Sequence, residues 1–93
     1  MISLDMEENY SVYIIETTCG KLYTGVSTDP VRRFDEHLSG NKGAKFFRSA
    51  TPKEIVYLES GLDRSSALKR EIEIKKMTKK QKLTLLNIYN TTR

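Results

Sequence analysis

The stretch Tyr10-Ser11-Val12-Tyr13-Ile14-Ile15-Glu16 is followed by Thr17-Thr18-Cys19-Gly20 and then by Lys21-Leu22-Tyr23-Thr24-Gly25-Val26. The first segment is β-branched and aromatic and is apolar on both faces, which predicts a central strand. Gly20 can take the positive φ of a tight connection, and the third segment again has strand character, so the three predict an antiparallel hairpin. Tyr13 and Tyr23 lie directly opposite across a three-residue loop and diagonally across any other. Gly25 stands inside the second strand, where a missing side chain weakens the sheet and often marks the close approach of another backbone or a ligand.

Downstream, Asp29-Pro30 opens a helix: Asp29 is a cap, Pro30 suits the first helical position, and Gly40 suits the end. Residues 39–51 read as a loop and 53–59 as a third strand, with Pro52 at its start. A second helix is predicted over 65–77. Thr78-Lys79-Lys80-Gln81 has the form of a capping box and opens a third helix, reaching about Tyr89. The order ββαβαα predicts an α+β fold, a small three-stranded antiparallel sheet flanked by about three helices. Residues 1–8 read as an N-terminal tail, 9–89 as one domain and 90–93 as a C-terminal tail.

The chain has 93 residues, 38% hydrophobic and 30% charged, with two prolines and five glycines. These values suit one globular domain and exclude collagenous, repeat and disordered classes. The longest purely apolar run is Val12–Ile15, so no membrane span is expected, and the acidic first ten residues carry no signal-peptide pattern. One cysteine, Cys19, excludes an internal disulfide and suits the cytoplasm; with one histidine, His37, it excludes the usual four-ligand structural zinc site. Net charge is +4, but it is uneven. Residues 31–53 hold six bases against two acids, and residues 63–82 hold eight against three. Two basic blocks point towards a polyanion.

Three groups of residues stand out. At about 100° per residue, Ala67, Leu68, Ile72 and Ile74 form a buried stripe, and Glu71 falls inside it whereas Glu73 does not. A carboxylate there needs a partner, either Lys75 one turn on or a metal ion. In the first helix Val31, Phe34 and Leu38 form the apolar face, while Arg33 and His37 share an adjoining one. In the loop, Lys42, Lys45 and Arg48 alternate with Phe46 and Phe47; such bases neutralise phosphates and such rings stack on unpaired bases, with one phenylalanine expected in the core.

Together these residues resemble the GIY-YIG nuclease superfamily, most closely its small stand-alone bacterial members. The first motif stands as Ser11-Val12-Tyr13 and the second as Tyr23-Thr24-Gly25. Arg33 follows Tyr23 by ten residues and His37 follows by four more. Ala67-Leu68-Lys69-Arg70-Glu71 resembles the family's metal-bearing helix, and Lys42-Gly43-Ala44-Lys45 and Ile74-Lys75-Lys76 resemble the stand-alone branch. The likeness spans about residues 9–83. The first motif has lost its Gly and Ile and keeps only the tyrosine; Asn87 is too loosely placed to take the asparagine role of other relatives.

The resemblance implies metal-dependent hydrolysis of phosphodiester bonds in nucleic acid, DNA being favoured, to a 5′-phosphate and a 3′-hydroxyl. Tyr13, Tyr23, Arg33, His37 and Glu71 are then the catalytic candidates. Glu71 would hold one divalent cation, Mg²⁺ or Mn²⁺. Arg33 would clamp phosphate, Tyr13 is favoured as the base with Tyr23 positioning water or phosphate, and His37 would accept or relay the tyrosine proton. Gly25, Lys42, Lys45, Arg48, Lys69, Lys75 and Lys76 are candidates for binding the backbone, and the last helix opens with Lys79, Lys80 and Lys82. No element dedicated to base edges is evident, so specificity is expected to be loose, structural, or supplied by a partner protein. The rival readings are a non-catalytic nucleic-acid-binding module on the same fold and a protein-interaction module.

Overall fold

The structure, a computed structural model, describes residues 9–40 and 43–91. The eight-residue tail and Lys42 lie outside the described residues. Strands β1 (Tyr10–Thr17) and β2 (Leu22–Ser27) are followed by helix α1 (Pro30–Ser39), a 3₁₀ turn (Lys45–Arg48), strand β3 (Pro52–Leu62), and helices α2 (Arg64–Lys75) and α3 (Lys79–Thr91). The sheet is antiparallel in the order β2-β1-β3, which puts the most apolar strand in the centre. This is the α+β, ββαβαα architecture that the sequence predicts.

The local signals act as expected. The Asp29 carboxylate accepts from the Arg32 amide at 3.1 Å, and Gly40 ends α1 at φ +76°. Thr78 and Gln81 exchange bonds of 2.9 and 3.2 Å between backbone amides and side-chain oxygens, a complete capping box. β3 runs three residues beyond the expected 59, because Ser60 and Gly61 form a bulge opposite Ser11 and the strand continues past it. Gly61 sits at φ +78°, and pairing resumes at Tyr10–Leu62.

Alternation divides the sheet into two faces. Val12 and Ile14 pack with Tyr57 against Ala67 and Ile74 of α2, and Leu85, Leu86 and Tyr89 of α3 close that core. The opposite face carries Tyr13, Ile15, Tyr23 and Gly25, and is covered by α1 and the 3₁₀ turn.

Two expected apolar faces differ. The buried residue of α1 is His37, whereas Val31 and Leu38 are 67% and 53% exposed. The helix packs on the tyrosine-bearing face through His37, which meets Tyr13 and Tyr23, so a polar edge turns inward. In α2 the buried arc is narrow and centred on Ala67 and Ile74, so Ile72, about 140° round from Ala67, projects to solvent. Glu71 lies nearer that centre and is the half-buried member.

Candidate active site

β2 is an edge strand, and α1 from one face of the sheet meets α2 from the other around it. Between them lies an open cleft of about 280 Å³, lined by Tyr10, Tyr13, Tyr23, Gly25, Val26, Arg33, Arg64, Leu68 and Glu71. Four of the five residues expected to carry chemistry line it, and the fifth, His37, stands behind Tyr13. Tyr10 and Arg64 also line it, two residues that the motif spacing does not single out. Arg64, Leu68 and Glu71 stand at i, i+4 and i+7 on α2, a spacing that carries the signal for Arg64.

Tyr13 and Tyr23 are diagonal neighbours: Tyr13 pairs with Gly25 and Ile15 with Tyr23, and the ring centroids are 6.5 Å apart. The close approach at Gly25 is made by Tyr13 itself. A Cβ built there would lie 2.5 Å from Tyr13 Oη and 2.6 Å from Cζ. The missing side chain lets a ring rooted in the central strand lean over β2 and bring its hydroxyl to the edge cleft, although the residue is 1% exposed.

His37 is buried behind that hydroxyl, with Nε2 3.4 Å from Tyr13 Oη. Its Nδ1 accepts the Ala44 amide at 3.1 Å, so in the neutral ring the proton sits on Nε2 and faces the tyrosine oxygen. Burial and the Arg33 charge hold His37 below its ordinary value of 6.5, with Glu36 opposing, which favours that neutral ring. His37 is therefore a donor to Tyr13, and the expected proton-accepting role does not fit this tautomer. The backbone of the 43–44 segment fits closely against it, since a Cβ at Gly43 would come 2.8 Å from His37 Cα.

Burial raises Tyr13 above the ordinary tyrosine range, helped by Tyr23 and Glu71, while the charge and hydrogen bond of Arg33 pull it down. Arg33 Nη1 also donates to Glu36 at 2.7 Å, which fixes the guanidinium at the cleft wall. Glu71 meets Lys75 Nζ at 3.2 Å, one turn on. The described residues contain no cluster of three His, Cys, Asp or Glu side chains. One carboxylate beside phenol oxygens in an open, wet cleft suits a hard cation that keeps most of its water, such as Mg²⁺ or Mn²⁺, rather than a caged zinc.

The other binding candidates lie elsewhere. Lys45 is exposed on the 3₁₀ turn, and Arg48 lines a separate hollow with His37, Gly40 and Phe47. Lys69 and Lys76 lie on the far side of α2, on a groove with Ile72, Met77 and Gln81. They stand about 180–200° from Ala67 on the helix wheel, so they cannot face the cleft. Arg70 is held by Glu59 at 3.0 Å and Glu73 at 2.7 Å. Both Phe46 and Phe47 are half-buried and form an aromatic cluster with Tyr23 and His37, Phe47 lying 4.8 and 4.4 Å from these two ring centroids.

A family model described as the GIY-YIG catalytic domain matches residues 9–84. A UPF0213 protein of Pseudomonas aeruginosa is 47% identical over 77 residues, 83% of this chain and 73% of that protein. One from Syntrophus aciditrophicus is 44% identical over 81 residues, 87% and 92% of the two chains. The solution structure of a UPF0213 protein from Bacillus halodurans, 36% identical, covers 86% of this chain and 84% of that one with a TM-score of 0.56. That of a protein from E. faecalis, 31% identical, covers 95% and 93% with a TM-score of 0.62.

Proposed function

The chain belongs to the GIY-YIG catalytic-domain family, and from that membership we propose that it is a divalent-metal-dependent endonuclease acting on nucleic acid, DNA being favoured. The observation that carries the reading is the convergence of Tyr13, Tyr23, Arg33 and Glu71 on one cleft. None of these is needed for mere attraction to a polyanion, which surface lysines supply.

In this reading the scissile phosphate sits between Arg33 and Glu71. The Arg33 fork neutralises a non-bridging oxygen as negative charge grows there. Glu71 would hold Mg²⁺ or Mn²⁺, which when bound supplies Lewis-acid stabilisation of the phosphate and of the departing 3′ oxygen. Tyr13, as its phenolate, would take the proton of the attacking water; burial favours the protonated phenol, so its own proton must first leave to solvent through the open cleft. Its oxygen is suited to this because His37 Nε2–H and Arg33 both point at it, and donors stabilise a phenolate. Neutralising the Glu71 charge removes one of the influences that raise Tyr13. Tyr23 positions the water or phosphate, and Tyr10 and Arg64 extend the wall along the strand.

The second reading, a binding module without turnover, rests on the Glu71–Lys75 pair, which already gives the carboxylate a partner. Labelled single-stranded, duplex and flap DNA incubated with Mg²⁺, Mn²⁺ or EDTA separates the two. Cleavage that needs the cation and is absent in Glu71→Ala is expected. Equal cutting by both proteins, or a gel shift without cutting in either, would refute the catalytic reading.

A further inference from the structure

A second cleft, also about 280 Å³, lies at the start of β2 and is lined by Lys21, Leu22, Phe46, Lys79 and Lys82. Its cations come from two distant parts of the chain, the hairpin turn and the first turn of α3. Lys79 Nζ donates to the Gly20 carbonyl at 3.3 Å, which ties the helix to the turn. No acidic side chain lines this cleft, and none of its three lysines forms an ion pair among the described residues. Three uncompensated ammonium groups in one concave site repel one another, a cost that an anionic ligand removes.

We propose that this cleft is a second nucleic-acid site, which grips the backbone of the same strand that the active site cuts. This rests on the nuclease reading of the first cleft for the identity of the strand. The two clefts share a wall: Phe46 lines one, Tyr23 lines the other, and their ring centroids are 5.4 Å apart. Both lie along β2. Leu22 and Gly25 are three residues apart, about 10 Å at a strand rise of roughly 3.3 Å. At about 3.4 Å per nucleotide along a duplex strand, that separation is roughly three nucleotides. Lys21, Lys79 and Lys82 meet phosphates, while the half-buried Phe46 offers an apolar surface to a sugar or base. The site reads no sequence, because point charges on phosphates carry none. It supplies the backbone grip expected of Lys69 and Lys76, which face away from the cleft.

The test is salt-dependent binding of the full chain in EDTA, where the strand stays uncut. The probes are a fluorescent 12-nucleotide single strand and a 12-base-pair duplex, with Lys21→Gln/Lys79→Gln/Lys82→Gln beside wild type. On whichever probe wild type binds more tightly, loss of three phosphate contacts should lower the slope of log K against log salt by about 2 to 3 units. Lys82→Gln alone should lower it by about 0.7–0.9, with an unchanged melting temperature. An unchanged slope, affinity within twofold of wild type, or no binding to either probe would overturn the proposal. Equal displacement of the probe by polyglutamate would reassign the site to acidic protein. Cleavage in Mg²⁺ is read separately: cutting with an unchanged slope sinks this site alone, and a lysine-dependent slope without cutting sinks only the nuclease reading.

Discussion

Gly25→Ala is the sharpest test of how the fold delivers its tyrosine. The added methyl would lie 2.5 Å from Tyr13 Oη, 2.6 Å from Cζ and 3.1 Å from Cε1. Non-bonded heavy atoms of this kind sit comfortably at about 3.5–4.0 Å, so the ring tip must move by about 1 Å. A surface tyrosine would swing aside, but Tyr13 is fully enclosed and its hydroxyl lies against His37. Overpacking of this kind costs about 1–3 kcal/mol. Replacing glycine in a strand returns about 0.5–1 kcal/mol of backbone entropy. The net loss should be about 1–2 kcal/mol, and each kcal/mol shifts a domain of this size by about 4–8 °C. In the nuclease reading proposed above, where Tyr13 is the base, a displacement of about 1 Å costs on the order of 10²-fold in rate. Thermal melting by circular dichroism and single-turnover cleavage give the two numbers. The decisive arm is a cycle with Tyr13→Leu, which shortens the side chain beneath Gly25. The stability cost of Gly25→Ala should largely vanish in that background. If Gly25→Ala melts with wild type and cuts within twofold of it, the argument is wrong. If its cost persists undiminished in Tyr13→Leu, something other than the tyrosine occupies that space.

Three further outcomes follow from the same geometry. Among the described residues Thr24 Oγ1 is buried without a hydrogen-bond partner, so Thr24→Val should stabilise the protein by about 1 kcal/mol, read as a higher melting temperature. Thr78→Ala removes the acceptor for the Gln81 amide at the start of α3 and should cost about 1 kcal/mol in chemical denaturation. His37 is held below 6.5 by burial and by Arg33, so below about pH 6.5 the unfolded chain takes up a proton that the folded chain refuses. Stability is therefore greatest above that pH and falls on acidification towards the folded value. Melting curves of wild type and His37→Gln between pH 7.5 and 5, run at matched salt, should converge as the pH falls; parallel curves would refute the assignment.

Local chemistry made the scaffold readable. The two-faced apolar run of β1, the cap at Asp29, the positive φ at Gly40 and the capping box at Thr78 depend on neighbours within a few residues, and each acts as it reads. The spacing of Tyr13, Tyr23, Arg33, His37 and Glu71 was equally legible, because a family pattern is a property of the chain. The extension of β3 was not: Ser60 and Gly61 join the strand only because pairing with β1 accommodates them as a bulge.

What the sequence could not decide is what each residue faces. Tyr13, Tyr23, Arg33 and Glu71 meet only because α1 and α2 approach the β2 edge from opposite sides of the sheet. Helical periodicity placed Glu71 on the inner arc of α2, but it also placed Ile72 there, since a wheel has no origin until packing supplies one. The sense of the His37–Tyr13 hydrogen bond depends on an amide from residue 44, and the meaning of Gly25 depends on a ring from the neighbouring strand. Lysines that read alike along the chain divide into a pair partner of Glu71, two on a far groove and three in a cleft at the hairpin turn. Composition and periodicity determine which groups exist and how each element folds; only tertiary packing determines which groups are within reach of one another, because hydrogen bonds and close contacts act over a few ångströms.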